Sequence, residues 1–280
     1  MAQLDQAPRY EPLGFGPFAK AHAKFTEVDQ FDWETLGKSG ETYDAKVRDR
    51  GRRSFVLRAL DEQRSLLAFS ELLTELCEQG APIDVIGSLA RVVRDEALHV
   101  DLCDRVVKGL GGWDDKAPQP RWVRSNKRLP LKRRALATVL GSLCLGETIS
   151  VHMIRGVRDH ATDPVVHSVL TRMLADESFH ARFGWYWLES MPLDDVDLAF
   201  AQKYVEKLIP SVEKSLRTQT KPGPHTYSPF GSMAAEERDE ALIDAMEKTI
   251  LPGFERAGLQ VQHLWSSAKA NRAAARKAVA

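Results

Sequence analysis

The sequence predicts an all-α protein organised around a four-helix bundle. Three observations carry that prediction. Apolar side chains recur at helical spacing from residue 52 to about 190, no segment shows sustained period-2 alternation, and one of the predicted helices is an internal repeat of another.

Residues 1 to about 48 are rich in Pro, Gly and aromatics ("PRYEPLGFGPFAKAH") and read as an irregular arm packed on the bundle. From Arg52 the period changes: Phe55, Ala59, Leu66, Phe69, Leu73 and Leu76 fall on one helical face, and Gly80 and Pro82 end that helix. A second helix is predicted over about 82–110, with Val85, Leu89, Val92, Val106 and Leu110 as its inner stripe. A Gly-, Pro- and base-rich connector comes next, then a third helix over about 131–159, the turn "RDHATDP", and a fourth over about 164–190. Further helices are expected at about 194–217, 234–250 and 253–275, with an Ala/Arg/Lys tail that frays. Helices one and two are joined tightly, as are three and four, while a long crossover separates two from three, a standard bundle connectivity. The expected organisation is an arm at 1–51, the bundle at 52–190 and additional helices at 191–280.

Composition excludes several classes of function. The 39 basic and 39 acidic side chains cancel, so no global field draws the chain to nucleic acid. No apolar run of membrane length is read, and "MAQLDQAPRY" lacks a signal pattern, so a cytoplasmic protein without membrane attachment is expected. Cys77, Cys103 and Cys144 are odd in number and unclustered, which argues against a disulfide framework or a zinc finger.

The chemistry sits in the repeat. "RDEALHVD" (94–101) returns 81 residues later as "ADESFHAR" (175–182), each reading Asp-Glu-x-x-His. Shifted by 81, residues 85–99 share Val, Leu, Arg, Asp, Glu and His with 166–180. Residues i and i+3 share a helix face, so Glu96 converges with His99 and Glu177 with His180, on apolar stripes. A buried carboxylate costs several kcal/mol unless its charge is compensated, and a metal does that well. Two copies that both carry the preceding Asp arise by chance on the order of once in a thousand such chains. A dinuclear carboxylate site also needs a Glu from each of the other two helices. In helix three Glu147 is the sole acid between Leu131 and Arg158. In helix one Glu62 lies on the apolar stripe between Ala59 and Leu66 and heads "EQRS" as Glu147 heads "ETIS". Glu71, Glu75 and Glu78 align with Arg64 and read as a solvated face.

Glu62, Glu96-x-x-His99, Glu147 and Glu177-x-x-His180, in that order and spacing, resemble the ferritin-like diiron-carboxylate superfamily over roughly residues 52–190. The resemblance implies a ferritin-like bundle holding two iron ions, or an iron–manganese pair, with Asp95 and Asp176 orienting the ligand histidines. It implies dioxygen as co-substrate, a small-molecule or carrier-bound organic substrate, and an oxidase or monooxygenase reaction using those six residues. An external electron donor, a ferredoxin or a reductase, is expected because the chain has no dinucleotide fingerprint. A homodimer is left open.

Ferroxidase or iron-storage activity is the rival reading, although this chain adds about 50 residues before the bundle and 90 after it; a non-catalytic metal-binding bundle is another. The radical-generating reductase subunits are disfavoured, because Cys103 stands where the resemblance implies a tyrosine. Arylamine N-oxygenases carry a further His where this chain has Met173. Gly141, Ser142, Cys144 and Gly146 leave helix three thin beside Glu147, for a cavity or for close packing. His152 and His167 fall off the ligand stripes; Phe183, Trp185, Tyr186 and Trp187 read as packing. The basic stretch 121–134 reads as a solvated loop, with docking of an acidic partner as the minority reading.

Overall fold

The computed structural model describes residues 9–10, 16–114, 125–191, 193–217 and 228–265. Among them it is all-helical: α1 (Gly16–Thr26), α2 (Trp33–Thr42), α3 (Ala45–Glu78), α4 (Ile83–Gly109), α5 (Leu131–Asp159), α6 (Pro164–Ser190), α7 (Asp195–Arg217) and α8 (235–256). The one β-type pairing among these residues is an isolated bridge between Ala161 and Phe230.

The arm is not irregular where it is described. Asp32 caps α2 by accepting from the Thr35 amide, and Asp44 caps α3 by accepting from the Lys46 amide, so α3 begins at Ala45 rather than Arg52. The sequence hid its first two turns because Gly51 sits mid-helix, where an added Cβ would run into the ring of Phe230. α1 is tied to α4 through His22 Nε2 and Asp101 Oδ2 at 3.2 Å, and α2 packs on α4 and α6.

The four long helices pair as their connections require. α3 folds back on α4 through 79–82, α5 folds back on α6 through 160–163, and α4 packs against α6. Asp163 starts α6 by accepting from the amides of Val165 and Val166, both at 3.1 Å, with Pro164 in the first turn.

Two buried apolar clusters fill this assembly. One contains Phe69, Leu72, Val92, Leu143 and Phe183; the other contains Phe55, Leu98, Leu102, Ile154 and Met173. On each of the four helices the glutamate that the sequence singles out falls where one cluster gives way to the other. Glu62 lies between Phe55 and Phe69, Glu96 between Val92 and Leu98, Glu147 between Leu143 and Ile154, and Glu177 between Met173 and Phe183. A polar layer thus interrupts the apolar core at one level.

α5 departs from α-helical winding at 139–147, which forms a π-helix ending on Glu147. Such turns collect at functional sites, because they re-aim a side chain without ending the helix. α6 packs closely here: a Cβ on Gly184 would lie 2.7 Å from Leu143 Cβ and 3.1 Å from the Cys144 amide. By length and composition α5 could cross a membrane, yet 44% of its most apolar window is buried inside the protein, and it carries the buried Glu147.

The expected helices at 234–250 and 253–275 are one helix over 235–256. A π turn at Met246–Ile250 lets Pro252 sit inside it, and the chain turns away at Gly258 with φ of +86°. The part of that expectation after residue 265 lies outside the described residues, as do Arg121 and Arg124 of the basic stretch.

Candidate metal centre

The six side chains that the sequence singles out converge. Glu62, Glu96, His99, Glu147, Glu177 and His180 are all buried, none more than 6% exposed. They form two four-residue groups whose ligand atoms lie within 4.8 Å of one another: Glu62, Glu96, His99 and Glu177, and Glu96, Glu147, Glu177 and His180. Glu96 and Glu177 belong to both groups, so the two share a pair of carboxylates.

The imidazoles face inward through Nδ1. His99 Nδ1 lies 3.5 Å from Glu62 Oε2 and 3.5 Å from Glu177 Oε1. His180 Nδ1 lies 3.0 Å from Glu96 Oε1, 3.4 Å from Glu177 Oε2 and 3.9 Å from Glu147 Oε2. The outer nitrogens face aspartates crosswise. His99 Nε2–H on α4 donates to Asp176 Oδ2 on α6 at 3.4 Å, and His180 Nε2 on α6 faces Asp95 Oδ2 on α4 at 3.7 Å. Asp176 therefore bonds the histidine of the opposite helix, and Asp95 faces its own across a longer gap that leaves His180 Nε2 without a hydrogen bond. That arrangement orients the rings so that Nδ1, once deprotonated, would be free for a metal in the cluster.

The aspartates are themselves held. Asp95 accepts from Arg94 at 2.6 Å and Arg91 at 3.2 Å, and Asp176 accepts from Arg172 at 2.8 Å. Burial raises both aspartates, but these guanidiniums and the facing imidazoles hold both below the usual carboxylate range. The Arg of the repeat, Arg91 and Arg172, has this supporting role in both copies.

The cluster inside has no such cations, and its hydrogen bonding is incomplete. Both oxygens of Glu96, Glu177 Oε2, His99 Nδ1 and His180 Nδ1 are buried without a hydrogen-bond partner. Glu96 Oε1 and His180 Nδ1 are close at 3.0 Å, yet their alignment is not that of a hydrogen bond. Orphaned polar atoms on this scale are rare in folded cores and call for a missing partner. Two divalent cations fit: they would balance four carboxylates, and an oxygen-rich set with two imidazoles suits iron or manganese. The group Glu62, Glu96, His99 and Glu177 would hold one ion, and Glu96, Glu147, Glu177 and His180 the other.

Without metal, protons take over the compensation. Burial, with Glu177 and Glu62 nearby, pushes Glu96 up to about 8, and burial beside Glu177 pushes Glu147 well above the carboxylate range. Burial also raises Glu177, but the neighbouring Glu147 carboxyl and the His180 and His99 imidazoles bring it down to about 2, so the close pair Glu147–Glu177 holds its proton on the Glu147 side. Burial lowers His99, but Asp176 and Glu62 outweigh it and bring the ring to about 10. His180 is raised well above the imidazole range, with Asp95 and Glu177 outweighing burial.

One flank of the cluster is open. A cavity of about 350 Å³ between α3 and α5 reaches Glu62, Glu147 and Glu177, past Gly141, Ser142 and Gly146. The thin face of α5 therefore makes a cavity, while Cys144 turns into the core beside α6. Burial pushes the thiols of Cys103 and Cys144 up, which keeps them protonated.

The face of α3 read as solvated is only partly so. Glu75 is 2% exposed, accepting from Ser125 Oγ at 2.8 Å with Arg134 Nε at 3.4 Å, and Glu71 pairs with Lys127. These acids anchor the incoming connector, whose path periodicity does not reveal. Lys132 and Arg133 pair with Asp197 on α7, so most of the described cations of the basic stretch are neutralised within the molecule. His152 is half-buried and His167 exposed, both away from the cluster. Trp185 packs edge-on against Phe254 and donates to Thr148 Oγ1 at 3.0 Å; of the aromatic segment, Tyr186 alone is exposed.

No protein-family model, curated protein or solved structure matches the chain.

The crosswise links give a first expected outcome. Asp176→Asn removes the carboxylate facing His99 and should weaken metal binding at the Glu62–His99 group by about 10- to 100-fold. Competition against a chromophoric chelator measures this, and an unchanged affinity would mean that the crossed aspartates contribute nothing to binding.

Proposed function

We propose that the chain is a non-haem diiron, or iron–manganese, oxidoreductase on a ferritin-like four-helix bundle, one that uses dioxygen to oxidise a small organic or carrier-bound substrate. The bundle would be α3 to α6, with the α4–α5 connection as its long crossover. The observation that carries the reading is the pair of buried ligand groups sharing Glu96 and Glu177, open on one flank to a cavity. A storage or purely structural site has no need of a substrate-sized opening beside its ligands.

Two ferrous ions bound in these groups would supply the two electrons for reducing dioxygen. The chain's own residues do the rest. With Asp176 hydrogen-bonded to His99 Nε2 and Asp95 facing His180 Nε2, both rings would present Nδ1 to the ions. Glu147 and Glu177 lie close enough to share a proton, so they can hold or return one beside the cavity. Among the described residues Glu96, His99, Glu177 and His180 are at most 1% exposed, so the α3–α5 opening would be the way in, where Glu62 and Glu147 would meet the incoming substrate. The sequence carries no dinucleotide fingerprint, so electrons would come from a ferredoxin or reductase.

Aerobic titration with ferrous iron separates this reading from iron storage. We expect saturation near two irons per chain, with the excess precipitating. Tens of irons retained per chain as soluble mineral would overturn it.

A further inference from the structure

The cavity beside the cluster has a neighbour. A second cavity, of about 430 Å³, lies between α3, α5, α7 and the end of the connector, and the two share Ala68 and Ser142 in their walls. Each is large enough for a small-molecule site. At the seam α5 carries Gly141, where a Cβ would come 3.2 Å from the hydroxyl of Tyr204 on α7. The glycine thus lets a tyrosine from α7 come close to the α5 backbone beside the wall that the two cavities share. The Tyr204 ring is steadied by stacking on Phe200, with centroids 6.0 Å apart and planes 22° apart. Its hydroxyl has no hydrogen-bond partner among the described residues.

The outer cavity has an uneven charge. Glu71 is taken by Lys127 and by the Ser125 amide at 2.8 Å, and Arg134 lies 3.4 Å from Glu75, so those charges cancel in pairs. Lys207, on the same wall as Tyr204, is exposed and has no ion pair among the described residues. The inner cavity has Glu62, Glu147 and Glu177 at its cluster end and the hydroxyls of Ser65, Ser142 and Ser150 along its walls, and its Arg64 is paired with Asp61 at 3.0 Å. From the cluster outward, the lining runs from the cluster's own carboxylates through hydroxyls and one phenol to one surplus cation.

We propose that the two cavities form a single substrate site, and that it takes an elongated organic anion. The oxidisable end would lie beside Glu62 and Glu147, a hydrogen-bond acceptor would meet the Tyr204 hydroxyl at the neck, and the carboxylate or phosphate end would meet Lys207. This deepens the oxidase reading and rests on it for the chemistry at the inner end, but the preference of the cavities for an anion can be tested without it.

The test uses the full chain with the exposed Cys77 changed to Ser and a single thiol introduced at the shared wall, Ser142→Cys. The native Cys103 and Cys144 are buried. Labelling rates are measured with an anionic sulfonatoethyl and a cationic trimethylammonioethyl methanethiosulfonate, each divided by its rate with 2-mercaptoethanol. At low salt the anionic reagent should be favoured by about threefold to tenfold, and Lys207→Glu should invert the preference. No labelling, a cationic preference, or a ratio unmoved by Lys207→Glu would overturn the proposal. A second measurement ties the site to the cluster: azide should perturb the optical spectrum of the iron-loaded protein before the introduced thiol is labelled and not after, at unchanged iron content. An equal azide response before and after labelling would also overturn it. If the chain binds no metal, the oxidase reading fails on its own, and the labelling ratio still decides whether the cavities select anions.

Discussion

Replacing Glu96 by Gln should abolish binding of both metals and at the same time stabilise the metal-free protein. Glu96 belongs to both ligand groups, so losing its charge damages the two together. Glu177→Gln should likewise remove both ions. Glu62→Gln and Glu147→Gln each touch one group and should leave one ion behind, whereas Glu71→Ala, on the connector side of α3, should leave both.

The stability effect has the opposite sign to the binding effect. In the metal-free fold Glu96 is raised to about 8 from the ordinary carboxyl value of 4.5. A carboxyl raised on folding favours the native state below its unfolded pKa, and that contribution is lost as pH climbs through the folded value. Wild-type apoprotein should therefore weaken between about pH 4.5 and 8, while Gln, which cannot ionise, avoids the loss. Near pH 8 Glu96→Gln should gain on the order of 4 kcal/mol over wild type in the absence of metal. Chelator-treated proteins compared by denaturant unfolding at pH 5 and pH 8 check this. A variant less stable than wild type at pH 8 would show that Glu96 is satisfied without metal.

Metal loading should also release about four protons per chain near pH 7, since ligands must deprotonate to bind. The count comes from the groups held protonated in the metal-free cluster: Glu96, Glu147, His99 and His180. The overall constant for two ions should then rise by about four powers of ten per pH unit. As pH climbs past 8, where Glu96 loses its proton, release should fall by about one, and past 10, where His99 loses its own, by about one more. Calorimetric titration in buffers of different ionisation enthalpy gives the number directly. Release of one proton or none near pH 7 would mean that the metal binds elsewhere, or that the apo cluster is not compensated by protons.

The six clustered residues were legible because helix geometry turns sequence spacing into position. An i, i+3 pair needs only a helix to converge, and a repeat of it on a second helix supplies the other half of the site. Glu147 followed from being the sole acid in its segment, and Glu62 from its place on the stripe. What escaped depended on contacts between helices. The crossed pairing of Asp176 with His99 and Asp95 with His180 is set by how α4 and α6 align, which no single-helix periodicity encodes. Glu75 looked solvated because the chain that buries it lies some 50 residues away and is irregular. The π turns at 139–147 and Met246–Ile250 keep their helices apolar where they should be, so the pattern reads through them as ordinary helix. α1 and α2 were hidden by Gly- and Pro-rich composition, although Asp32 and Asp44 are residues of capping type.

Glu96 and Glu177 belong to both ligand groups, so they would be the carboxylates shared by two metal ions held between the four long helices. Anomalous diffraction from crystals grown anaerobically with manganese or ferrous iron tests that sharing most directly. The expected map has two peaks about 3.5–4 Å apart, one against His99 Nδ1 and Glu62, the other against His180 Nδ1 and Glu147, with Glu96 and Glu177 between them. A single ion in the cluster, or metal bound only at the surface with the six side chains bare, would contradict it.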